Sequence, residues 1–194
     1  MKNIICTLSL LIFNPVFAQV IIGNTIGTVP SGQKESVLLE FASGQNKGII
    51  LPYVRIVPSG SRLSEGTMVL DATDPQRAKI IYYNGVIDMN SSDGWFDLSN
   101  GDTADLTSIM GTQPSPAAVT EFSESKMIIG SNSSSSDGVL VLESQSKAMV
   151  LPMVTNTDDI PDPAPGMLVY INKEGAKRLA VYNGNAWTYW KPND

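Results

Sequence analysis

Histidine is absent from this sequence, and cysteine occurs once, at Cys6. The first absence excludes nucleophilic sites that rely on an imidazole base, such as Ser-His-Asp or Cys-His arrangements. Together the two exclude the Cys/His zinc centres. No G-x-G-x-x-G and no G-x-x-x-x-G-K-[ST] occurs, so neither phosphate-cradling loop of the common nucleotide folds is present. Runs of Lys and Arg are missing as well. A net-acidic chain without clustered basic residues lacks the counter-charge that nucleic-acid phosphates or an anionic membrane surface demand.

One apolar run stands out, Ile4 to Phe13, and it is too short to span a bilayer, which takes about 20 residues. Lys2 precedes it, and Val16-Phe17-Ala18 follows with small residues at −3 and −1. This is the layout of a secretory signal peptide over 1–18, cleaved after Ala18. Cys6 falls inside that segment and away from the cleavage point, which does not fit a lipoprotein signal. A chain starting at Gln19 has no cysteine and hence no disulfide. Taking Lys2 from the 13 basic residues leaves 12 against 19 acidic, a balance of −7. The expectation is an exported protein, in the periplasm or at the outer-membrane surface, not inserted in the membrane once the signal is removed. Its stability would rest on packing and oligomerisation.

What the sequence does contain is a phrase written twice. KGIILPYV at 47–54 returns as KAMVLPMV at 147–154, and the echo extends in both directions. Val20-Ile21-Ile22-Gly23 returns as Met127-Ile128-Ile129-Gly130, and Val37-Leu38-Leu39-Glu40 as Leu140-Val141-Leu142-Glu143. Gly66-Thr67-Met68-Val69 returns as Gly166-Met167-Leu168-Val169. Tyr82-Tyr83-Asn84-Gly85 has its counterpart in Val181-Tyr182-Asn183-Gly184, and each copy closes on tryptophan, at Trp95 and at Trp187 with Trp190. The offset drifts within Gly-, Ser- and Asn-rich stretches, where insertions sit in turns. Self-similarity of this kind is a tandem duplication of a module of roughly 70–80 residues, and two copies are too few for a solenoid.

The echoed blocks are short, rich in Val, Ile, Leu, Met and Tyr, and punctuated by Gly, Pro, Asn and Asp. That is a strand-and-turn pattern. The predicted fold class is all-β: a first β module over 19–99, a linker over 100–126 extended around Pro114 and Pro116, and a second β module over 127–194. At most one or two short helices are expected, in 104–110 or 117–123. Asn84-Gly85 and Asn183-Gly184 signal hairpin turns, the first lengthened by the insert VIDMNSSDG. Leu51-Pro52 and Leu151-Pro152 place a proline within or at the end of a strand, so those strands should bend or lie at an edge.

Gln-Val-Ile-Ile-Gly-Asn-Thr-Ile-Gly directly after the signal, then Val-Leu-Leu-Glu, Lys-Gly-Ile-Ile-Leu-Pro, Glu-Gly-Thr-Met-Val-Leu and Tyr-Tyr-Asn-Gly before a Trp, resembles a group of exported surface proteins. These belong to gliding, type IX-secreting Gram-negative bacteria and carry tail-fibre-like repeat modules. The resemblance implies a structural or adhesive component rather than an enzyme. Two departures are visible: one proline where the group has two, and no separate sorting domain after WTYWKPND. The second implies an accessory subunit that stays with a surface assembly.

Several motifs compete with plainer readings. IDMNSSDGWFD at 87–97 invites a calcium loop, but counting from Asp88 puts Asp93 where glycine belongs and Ser99 where glutamate belongs. A polar hairpin loop fits better, and Asp158, Asp159 and Asp162 read as a solvated turn. No metal or cofactor is expected. Trp95, Trp187, Trp190 and Tyr189, with Tyr83 and Tyr182, offer a glycan-stacking surface or, more simply, caps on a small core. Asp102-Thr103-Ala104 matches a short O-glycosylation signal at Thr103, an expectation implied by the resemblance. Leu51, Pro52, Tyr53, Leu151, Pro152 and Met153 are the candidate partner-binding residues. They would act as exposed edges for strand addition, against the alternative of bent core strands. The expected function is that of a non-enzymatic exported interaction protein in a surface assembly, homo-oligomeric or bound to protein partners. A carbohydrate-binding module is the alternative.

Overall fold

A computed structural model describes residues 19–191, apart from 25, 89, 90, 116, 121, 123 and 124. The signal-peptide expectation therefore lies outside the described residues.

The predicted strand pattern holds. The first copy runs β1 (Val20–Ile22), β2 (Val37–Phe41), β3 (Ile49–Ile50), β4 (Tyr53–Val54), β5 (Met68–Asp71), β6 (Lys79–Tyr83) and β7 (Trp95–Asp97). One helical turn, α1 (Thr107–Met110), follows. The second copy runs β8 (Met127–Ile129), β9 (Leu140–Leu142), β10 (Ala148–Met149), β11 (Met153–Val154), β12 (Met167–Ile171), β13 (Arg178–Tyr182) and β14 (Trp187–Trp190). The protein is all-β, with single turns of helix between strands.

Each copy builds the same local sheet. β4-β5-β6-β7 and β11-β12-β13-β14 have a parallel first pair followed by an antiparallel meander. Register agrees between the two, Tyr53 facing Leu70 as Met153 faces Tyr170. Likewise β1–β2 and β8–β9 are parallel pairs. Here the register differs by two residues. Val20 faces Leu39, while its counterpart Met127 faces Leu140, the counterpart of Val37. A shift of two keeps every side chain on its face, whereas a shift of one would invert them all. The connection is also shorter in the second copy, 130–139 against 23–36.

The chain does not form two separate beads. β10 of the second copy lies parallel on β2 of the first, and β3 of the first pairs antiparallel with β12 of the second. The largest buried cluster takes Leu51, Leu70, Ile80 and Leu98 from the first copy together with Leu168 and Val181 from the second. Ala104, Leu106 and Met110 lie in that same core. Residues 104–110 are thus corrected from free linker to part of the packing. Three apolar side chains at that spacing bury one face of the segment, Ala104 bridges Ala78, and α1 continues it. Asp105 caps this turn, its Oδ1 accepting from the Thr107 amide (3.0 Å) and hydroxyl (2.6 Å). Both bonds favour the charged carboxylate and hold its pKa below the usual range, against a smaller opposing effect of desolvation.

Candidate association surface

The duplicated phrase is where the chain changes partner. On its N-terminal side, Ile49 and Ile50 pair with Leu168 and Met167, and the Leu51 amide donates to the Gly166 carbonyl (3.0 Å). On its C-terminal side, the Pro52 carbonyl accepts from the Leu70 amide (2.9 Å), and β4 continues along β5 of its own copy. The second phrase behaves alike. The Val150 amide donates to Leu39 of the first copy (2.8 Å), and the Pro152 carbonyl accepts from Tyr170 of its own (2.9 Å). Proline has no N–H to offer either neighbour, and its fixed φ helps turn the strand. Each of these prolines sits at the residue where one pairing ends and the other begins.

Of the six candidate residues, Tyr53 and Met153 open β4 and β11, while Leu51, Pro52, Leu151 and Pro152 form the junctions between strands, and all are partly used up within the chain. Leu51 and Pro152 are buried, Tyr53, Leu151 and Met153 are half-buried, and Pro52 is exposed. The Tyr53 hydroxyl donates to the Pro165 carbonyl across the copies (2.6 Å), and burial pushes its pKa up. Gly166 stands beside it at φ 79°. A Cβ there would come within 3.2 Å of the Tyr53 ring and 3.3 Å of the Leu51 carbonyl, so only glycine allows this approach.

Further ties cross the same joint. The Trp190 indole donates to Leu98 O (2.9 Å), the Thr188 hydroxyl to Ser99 O (3.2 Å), and Asn183 Nδ2 to Asp102 O (3.0 Å). At its other end the Asp137 amide donates to Arg62 O (3.1 Å), Arg62 and Asp137 form an ion pair at 2.9 Å, and the Ser64 hydroxyl donates to that of Ser136 (2.7 Å). The hairpin turn expected at Asn183-Gly184 is present: the β13–β14 hairpin closes over Asn183–Ala186, with buried Asn183 Oδ1 accepting from the amides of Asn185 and Ala186. No signal in the sequence distinguishes this Asn from an ordinary turn residue.

The aromatic residues mostly pack. Trp95 lies against Tyr83, Trp187 against Tyr182, and Trp190 edge-on to Phe96 of the other copy (5.6 Å). All three tryptophans are half-buried. Tyr189 is exposed, but its hydroxyl meets Thr157 at 2.9 Å and Arg178 lies over its ring. Of the acidic loops, Asp88 and Asp93 cap their own turn by accepting from Ser91 and Trp95. Among the described residues no three acidic, Cys or His side chains gather as a metal site. Thr103 is half-buried between Asp102, whose carbonyl Asn183 holds, and buried Ala104. A shallow groove of about 610 Å³ beside α1 is occupied at one wall by Arg55, whose guanidinium donates to the carbonyls of Met110, Gln113 and Pro114.

The joint, rather than a cleft, is the feature that this fold elaborates. A family model described as a phage tail like trimerisation region matches residues 128–193. No curated protein and no solved structure matches the chain. The matched stretch begins within β8 and ends past β14. It agrees with the tail-fibre-like part of the resemblance, and speaks for a structural, self-associating region rather than a catalytic one. It carries no information on type IX secretion or gliding.

Proposed function

We propose that this protein is a non-enzymatic, exported β-scaffold subunit that self-associates within a fibre-like assembly at the bacterial cell surface. The observation that carries the reading is the match of 128–193 to a phage tail-like trimerisation region, on a segment whose sheets pair by strand addition. The signal-peptide pattern at 1–18 supports export, and the resemblance to surface proteins of gliding bacteria supports an adhesin, fibre or secretion-apparatus setting. The chain divides functionally into modules at 19–99 and 127–194, joined by 100–126, of which 104–110 packs into the shared core. Its partners are copies of itself and, in the envelope, the protein it decorates.

Two measurements test this. Native mass spectrometry of the chain from Gln19 onward should give a homo-oligomer, and a monomer at all concentrations overturns self-association. Purification of the tagged protein from its native envelope should bring down a large surface protein in stoichiometric amount. Recovery of the protein alone overturns the assembly setting.

A further inference from the structure

The two strand exchanges between the copies are not mutual. β3 pairs with β12, the second-copy counterpart of β5, but the counterpart of β3 does not pair with β5. Instead, β10 pairs with β2. A two-fold joint would show the same pairing in both directions. What is seen is a head-to-tail joint. The phrase of one copy reaches forward to the β5-type strand of the next, and the phrase of the next reaches back to the β2-type strand of the one before. Head-to-tail contacts do not saturate in a pair; they close a ring or continue as a filament.

Among the described residues one half-joint is therefore open on each side. At the second copy, β9 pairs among the described residues only with β8. The Met127 amide donates to Val139 O and the Glu143 amide to Ile129 O. Strand alternation then turns the amides of Leu140 and Leu142 to the other side, the side on which Leu39, counterpart of Leu142, receives Val150. At the first copy, β5 pairs with β4 and β6, but no strand of the described residues lies where β3 lies on β12. The other edge of β3 is also unmatched. Exposed large apolar residues occur on these strands: Met127 and Leu140, with neighbouring Val139, on one side and Ile50 on the other. Leu140 is the clear case: its counterpart Val37 is 3% exposed under β10, whereas Leu140, with no strand of the described residues on that edge, is 43% exposed.

We infer that the open halves take a second copy of this chain, reproducing the internal joint between chains. The partner's Lys47–Ile50 phrase lies parallel on β9, its Ile49 opposite Leu142 as Met149 is opposite Leu39. The first chain's Met149-Val150 lies antiparallel on the partner's Met68-Thr67. This assignment rests on the self-association proposed above and adds which edges meet, in which direction and with which phrase. With the trimerisation match, it points to three chains closing head to tail.

The chain from Gln19 has no native cysteine, so single cysteines report cleanly. Two differently tagged chains, one carrying Ile49→Cys and the other Leu142→Cys, are mixed and oxidised. The expected result is an interchain disulfide at least about tenfold more abundant than in either chain alone. In the unmodified protein, amide exchange at Leu140 and Leu142 should slow at least about tenfold on association. An intact oligomer by native mass spectrometry without the 49–142 crosslink and without that protection overturns the inference while leaving self-association standing. Crosslinking of Met149→Cys to Leu142→Cys in its place would also overturn it, since like copies would then be meeting. A monomer at every concentration removes both.

Discussion

β2 and β9 carry nearly the same sequence, Val-Leu-Leu-Glu against Leu-Val-Leu-Glu, yet they live in different surroundings. Val37, Leu38, Leu39 and Glu40 are at most 3% exposed, whereas Leu140 is 43% exposed and no residue of β9 is buried. The difference comes from neighbours: β2 is flanked by β1 and β10, β9 by β8 alone. Even the glutamate is handled differently. Glu40 accepts from the Val29 amide (2.8 Å) and Lys34 Nζ (3.0 Å) of the longer first-copy loop, and from Gln19 Nε2 just before β1 (2.5 Å). Glu143 accepts from the Ser134 hydroxyl in the shorter one. Burial here is a property of position in the assembly of strands rather than of the segment's own hydrophobicity.

This contrast can be broken at its strongest point first. Leu39→Ala should cost about 2–5 kcal/mol, as deletions at fully buried leucines do. Leu142→Ala should cost under about 1 kcal/mol in the dilute chain and rise toward the Leu39 value once chains associate. Urea titrations at low and high protein concentration check both, and equal costs at both sites under dilution would contradict the difference in environment. Glu40→Gln should be the next largest, about 1–3 kcal/mol, because it weakens a charge-assisted set inside the core. Glu143→Gln should change the unfolding midpoint far less in the same titrations.

Tyr53→Phe removes the bond to Pro165 and should cost about 0.5–1.5 kcal/mol. Its pH dependence has a definite sign. Because burial raises the folded pKa above the unfolded value near 10, the contribution is complete below that value and is lost as pH rises through the folded one. A denaturation series from pH 8 to 11 should show wild-type stability falling toward that of Tyr53→Phe. Smallest of all, Arg62→Ala or Asp137→Ala should cost about 0.2–1 kcal/mol and fade with added salt, since that pair stands roughly half exposed.

Much of the fold was legible in the sequence because it is written in local signals. Short apolar runs punctuated by turn residues gave the strands, and the duplicated phrases gave the matching β4–β7 and β11–β14 sheets. The lengthened first hairpin followed from the insert after Asn84-Gly85. The joint was not legible. Nothing in KGII or KAMV says that one pairs with β12 and the other with β2, because strand choice between equivalent edges is decided by long-range packing. The same blindness made 104–110 look like linker. Ala104, Leu106 and Met110 are small or isolated apolar residues among Asp, Thr and Ser, and their burial depends on a core assembled from both copies. The Leu-Pro phrases were seen as either bent core or pairing edges; within the chain each phrase pairs with both copies, one on either side of its proline.

That division also sorts the structure in time. Pairings on the C-terminal side of each proline, β4 with β5 and β11 with β12, join residues close in sequence. Those on the N-terminal side, Val37 with Ala148 and Ile49 with Leu168, join residues more than 100 apart. Contacts between distant residues wait on closure of a long loop and form late. Each meander is therefore expected to be in place while its leading phrase is still unpaired. During that interval the phrase cannot distinguish an edge on its own chain from the same edge on another, and the local concentration of chains sets which one it finds first.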